Sequence, residues 1–85
     1  MSSTYRKFLQ RLNTAPLTQV GEHYKLSVDI PSKLKKHLAL TAAHSSWRVI
    51  DNWRWVPIKD SIHVSRLGTM VWVTVLYRPV GLGDL

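Results

Sequence analysis

The chain has 85 residues, 45% of them hydrophobic, enough for a single domain built on one core. It contains no cysteine, which excludes disulfide staples and zinc–thiolate sites, and no apolar run approaches the ~20 residues of a membrane-spanning helix. Twelve Lys and Arg against five Asp and Glu give a net charge of +7 and a pI near 10.3, a balance that attracts polyanions without specifying which.

Most of that charge comes early. Residues 1–47 hold seven bases and two acids, and no acid precedes Glu22. The opening MSSTYRKFLQRLNTA lacks the long apolar stretch of a secretory signal. Its basic, Ser/Thr-rich, acid-free composition resembles a mitochondrial presequence, but it reads more simply as the first helix of the domain. A cytoplasmic location is expected, with the mitochondrial matrix as the alternative.

In chain order, Tyr5, Phe8, Leu9 and Leu12 follow the spacing of one apolar helix face, with Ser3 or Thr4 as the cap and Asn13 and Pro16 as the stop. Arg6, Lys7 and Arg11 fall on the opposite face. HYKLSVDI, 23–30, alternates strictly, so Tyr24, Leu26, Val28 and Ile30 share one side of a half-buried strand that Pro31 ends. PSKLKKHLALTAAH reads as a second helix capped by Ser32, with Leu34, Leu38 and Thr41 or Ala42 facing inward. Lys33, Lys35 and Lys36 crowd its start, where the helix dipole favours anions and a bound phosphate would be welcome.

Beyond Ser45-Ser46 the composition turns to strand formers. Asp51-Asn52 separates WRVI from WRWV, and both residues tolerate positive φ, so a two-residue hairpin turn is predicted. That fixes Ile50 opposite Trp53, Arg48 opposite Trp55, Val49 opposite Arg54 and Trp47 opposite Val56. A second hairpin joins SIHVSR to TMVWVTVLYRPV. With Leu67-Gly68 as its loop, Val64 faces Val71, Ile62 faces Val73 and His63 faces Trp72, although Leu67 suits positive φ poorly. Residues 80–85 read as a flexible tail. The expected fold is α+β: a small single domain over 1–85, with an N-terminal helix, a strand, a second helix and then two β-hairpins forming an antiparallel sheet.

WRVIDNWRW, 47–55, holds three of the four tryptophans. Both faces of that hairpin carry one, and helices can cover only one side of a single sheet. At least one of Trp47, Trp53, Trp55 and Trp72 is therefore expected at the surface. Arg48 across from Trp55 offers a cation–π stack. Rings beside arginines suit the bases of single-stranded nucleic acid, and equally a protein-binding hot spot.

Catalytic signals are sparse. No two of the histidines 23, 37, 44 and 63 have the spacing of a helical metal site, no carboxylate pair is marked as converging, and the four glycines form no phosphate loop. The enzyme class that survives is a metal-independent ribonuclease, with His63 as acid or base and Arg48, Lys59 or Arg66 on the phosphate. The leading expectation is a non-enzymatic, cofactor-free nucleic-acid-binding module, favouring RNA or single strands over duplex. Arg6, Lys7, Arg11, Lys33, Lys35 and Lys36 would hold phosphates, while Trp53, Trp55 and Arg48, or Trp72 with His63, would stack bases, with Arg54 a further nucleic-acid-binding residue. The alternative is an interaction or assembly factor (an inhibitor, a viral or phage accessory protein, or a small subunit of a complex) docking on an acidic protein surface. A homodimer through an edge strand within 70–79 is a further expectation.

Overall fold

A computed structural model of the chain describes residues 3–81. The elements run α1 (Ser3–Thr14), β1 (Thr18–Val20), β2 (His23–Asp29), α2 (Lys36–His44), β3 (Arg48–Ile50), β4 (Trp53–Pro57), a 3-10 turn (Lys59–Ser61), β5 (His63–Leu67) and β6 (Met70–Gly81). The α+β order is the expected one with a strand added. Gly21, at φ +61, opens a two-residue turn that folds β1 back on β2, with Val20 opposite His23. Glycine takes that positive φ without steric cost, which places the turn there.

β6 is the spine of the sheet. Residues 72–77 pair antiparallel with β2 along one edge, while the other edge takes β5 at its start and β4 at its end. β4 and β5 are thus two halves of one line, interrupted by residues 58–62. At the break the Ile58 N–H donates to the Leu76 carbonyl at 2.8 Å. The Leu76 N–H donates to Ser61 Oγ at 2.9 Å, and that hydroxyl donates to the Ile58 carbonyl at 2.7 Å. The line therefore kinks while the backbone groups of Leu76 keep their partners. β3 covers the far edge of β4. Residues 70–79 offer no free edge for self-pairing, contrary to expectation, because β6 is bonded on both sides; on that side the unpaired edge belongs to β5.

Alternation puts Leu26 and Val28 of β2 on the same face as Val73, Val75 and Tyr77 of β6, and all five are buried. α1 and α2 pack on that face through Phe8, Leu12, Ala39, Ala42 and Ala43. Tyr5 and Leu9 of the predicted α1 stripe pack at its margin. Ser3 and Thr4 lie inside α1 rather than before it, so neither is its cap.

The second helix starts at Lys36, four residues after the predicted Ser32 cap. Pro31 to Leu34 closes a turn instead, with the Leu34 N–H on the Pro31 carbonyl at 3.0 Å, and Leu34 enters the core from that turn. No side chain caps the first turn at Lys35. The late start rotates the inward stripe to Ala39, Ala42 and Ala43, leaving Leu38 and Thr41 exposed. Alanines at the contact let α2 approach α1 and β6 closely.

The first hairpin has the predicted register, and Asp51 and Asn52 sit at φ 53 and 66, as a type I′ turn requires. The second hairpin is corrected. Its loop is Gly68-Thr69, because Gly68 takes the positive φ (+61) that Leu67 resists, and Leu67 pairs with Met70. Val64 therefore faces Val73, Ser65 faces Trp72 and His63 faces Thr74. A shift of two keeps every side chain on its predicted face. Val80 and Gly81 pair with Arg54 and Trp53 rather than joining the tail, and residues 82–85 lie outside the described residues.

Candidate nucleic-acid interface

Among the described residues no helix lies over the second face of the sheet. Its rows follow from the register. One row carries Thr18, Lys25 and Leu76; the next Ser27, Thr74 and His63; the next Asp29, Trp72 and Ser65. Toward the other end lie Arg78 beside Val56, then Val80, Arg54 and Val49. None of these side chains is buried. The face thus mixes aliphatic area, hydroxyls and the cations Lys25, Arg54 and Arg78. Asp29 is the carboxylate on its strands, and Arg11 engages it at 3.1 Å.

Trp47 anchors one end of this face. It precedes β3 and is 48% exposed, and the Arg54 guanidinium lies over its ring at 4.3 Å from the centroid. Arg54 pairs directly with Val49, so its stack on Trp47 is the diagonal contact that same-face neighbours two residues apart can make. An exposed cation–π pair contributes about 0.5–1 kcal/mol, enough to favour the stacked geometry without burying either group. Trp72 is half-buried, two strand rows from Leu76, with Ser65 at its side. The predicted neighbours His63 and Trp72 share this face but sit in adjacent rows rather than opposite one another.

The other predicted site residues are elsewhere. Arg48 points to the helix side and donates to the carbonyls of Leu12 at 2.9 Å and Ala15 at 2.7 Å. It closes the C-terminal end of α1, where orphan carbonyls and the negative end of the helix dipole favour a cation. The expected Arg48–Trp55 stack is absent for that reason. Trp55 instead packs edge-on to Tyr24, with ring centroids 4.7 Å apart at 80°, at the margin of the core. Trp53, 49% exposed, shares Trp55's side beside the hairpin turn. Arg6 and Lys7 are exposed on α1, and Lys33, Lys35 and Lys36 are exposed where β2 leads into α2.

The predicted set therefore divides. Arg54, His63 and Trp72 come together on the open face, and Arg6, Lys7, Lys33, Lys35 and Lys36 belong to the helical side. Lys25 and Arg78 join the open face with no mark in the sequence, and Trp47 joins it as one of the rings expected at the surface but not among the predicted base contacts. For the ribonuclease constellation, strand alternation places His63 and Arg66 on opposite sides of β5, and Arg48 is committed to α1. Among the described residues no three of His, Asp and Glu cluster as a metal site.

Beneath the sheet, the Tyr77 hydroxyl meets Ser46 Oγ at 2.5 Å, and Ser46 Oγ lies 2.7 Å from the Ala43 carbonyl. The single serine proton goes to the carbonyl, so Tyr77 donates to Ser46. Burial pushes the Tyr77 phenol up from its ordinary value, with Ser46 and Arg48 pulling weakly the other way.

No protein-family model, no curated protein and no solved structure matches this chain.

Proposed function

We propose that the chain is a small, non-enzymatic module that binds single-stranded nucleic acid, RNA in particular, across the open face of its sheet. The observation that carries this is the Arg54–Trp47 stack on a face that no helix among the described residues covers and that also presents Lys25, Arg78, His63 and Trp72. Stacked planes accept bases of any identity, and flanking cations neutralise the phosphates between them. The exposed lysines and arginines of the helical side add long-range attraction rather than contact. Chemical-shift mapping with a short single-stranded RNA tests it. The largest changes are expected at Lys25, Trp47, Arg54, Trp72 and Arg78; changes confined to α1 and the β2–α2 connection would move the binding surface to the helical side.

We also propose a second reading, in which a protein partner covers Trp47 and Val49, exposed large apolar groups two residues apart on the open face. Such docking responds weakly to salt, whereas contact with phosphates weakens steeply as salt rises.

A further inference from the structure

A cavity of about 410 Å³ opens on the helix side of the sheet, where the β2–α2 connection and the first residue of α2 face β5 and β6. Its volume falls in the range of small-ligand sites. The apolar walls are Ile30 and Leu34 from the β2–α2 connection and Val64 and Val71 from β5 and β6. Lys36 and Arg66 contribute one cation from each side, and Ser32 and Thr69 add hydroxyls. No carboxylate of the described residues lines it, and their ion pair joins Arg11 to Asp29 elsewhere, so among the described residues neither cation has an anionic partner.

We infer that this cavity binds an organic phosphate monoester with a compact apolar or aromatic body, the class that includes nucleoside monophosphates. Two cations facing one space match a dianion. A phosphate monoester is close to doubly charged at neutral pH because its second pKa is near ~6. A carboxylate would leave one of the two cations unmatched. The hydroxyls give the remaining phosphate oxygens or the edge of a base their hydrogen bonds, while the aliphatic walls take the flat body. The site lies across the sheet from the open face, so it stands apart from strand binding and fails or succeeds separately.

The experiment is a titration of the full chain, followed by amide chemical shifts, with adenosine 5′-monophosphate, adenosine, inorganic phosphate and decanoate in parallel. Saturable changes at Val64, Arg66 and Val71 with the monophosphate are expected, at least tenfold tighter than with the other three. Arg66→Ala, an exposed substitution that leaves the core untouched, should weaken the monophosphate at least tenfold, and Val64→Trp should block it. Equal binding of decanoate would overturn the phosphate assignment. Equal response of the Arg66→Ala chain, or no saturable change at these residues, would overturn the site.

Discussion

Arg54 lies over Trp47, its guanidinium carbon 4.3 Å from the ring centroid, on a face of the sheet that no helix among the described residues covers. The pair is held by the register of one hairpin, in which Val49 opposes Arg54 and Asp51-Asn52 supplies the turn. A ring kept in place and half open costs the fold little and leaves π surface for a ligand.

Replacing Trp47 with alanine should therefore separate binding from stability. The unfolding free energy, measured in urea, should fall by no more than about 1 kcal/mol, the scale of an exposed cation–π pair. Affinity for single-stranded RNA should drop by about 1–3 kcal/mol, the worth of one stacked base.

Charge reversal should divide the two faces. Lys25→Glu with Arg78→Glu is expected to weaken RNA binding strongly and to flatten its dependence on log salt by about 0.7 for each phosphate no longer neutralised. Lys33→Glu with Lys35→Glu should lower affinity modestly and leave that slope nearly unchanged. Fluorescence anisotropy across a salt series measures both.

The parts of the fold legible in the sequence are those with strong periodicity or obligatory turn residues. The face of α1, the alternation of β2 and the Asp51-Asn52 turn each follow from a local rule, and the grouping of Trp47, Val49, Arg54 and Val56 on one face follows from that turn. β1 escapes because Thr18–Val20 is too short to carry a period. The start of α2 escapes because Ser32 looks like a cap, whereas the chain uses Pro31–Leu34 for a turn and buries alanines that hydropathy ranks below Leu38. Within the candidate site, Arg48 is the residue that sequence cannot assign. Its partners are carbonyls 33 and 36 residues away, and only the packed helix brings them near.

Arg48 is accordingly predicted to act on stability. Arg48→Met should cost about 3 kcal/mol or more, since two hydrogen bonds from a charged group are lost at about 1.5–3 kcal/mol each and the α1 carbonyls lose their donor. RNA affinity of the chain that remains folded should be unchanged. Urea denaturation and a titration on the same sample check both halves.

Tyr77 gives the pH dependence. Its phenol is raised above its unfolded value of 10.0, so the folded chain keeps the proton where the unfolded chain has lost it. The associated stability is complete below pH 10 and is lost as pH climbs through the raised folded value. Thermal unfolding should show a falling midpoint above pH 10 in the natural chain. Tyr77→Phe should lose about 1 kcal/mol at neutral pH, where the bond to Ser46 disappears, and should show a smaller alkaline decline.

Ser61 repairs the break between β4 and β5. Ser61→Ala would leave the Leu76 N–H without its acceptor, a loss of about 1–3 kcal/mol, and hydrogen exchange should accelerate first at Leu76.

The most direct test of strand binding is a titration of labelled single-stranded RNA into the chain at low and at moderate salt, following tryptophan fluorescence. Quenching should saturate, weaken steeply with salt and fall by most of its amplitude when Trp47 is replaced. Saturable binding that neither quenches tryptophan nor responds to Trp47→Ala, or no binding at low salt, would contradict the proposed strand binding.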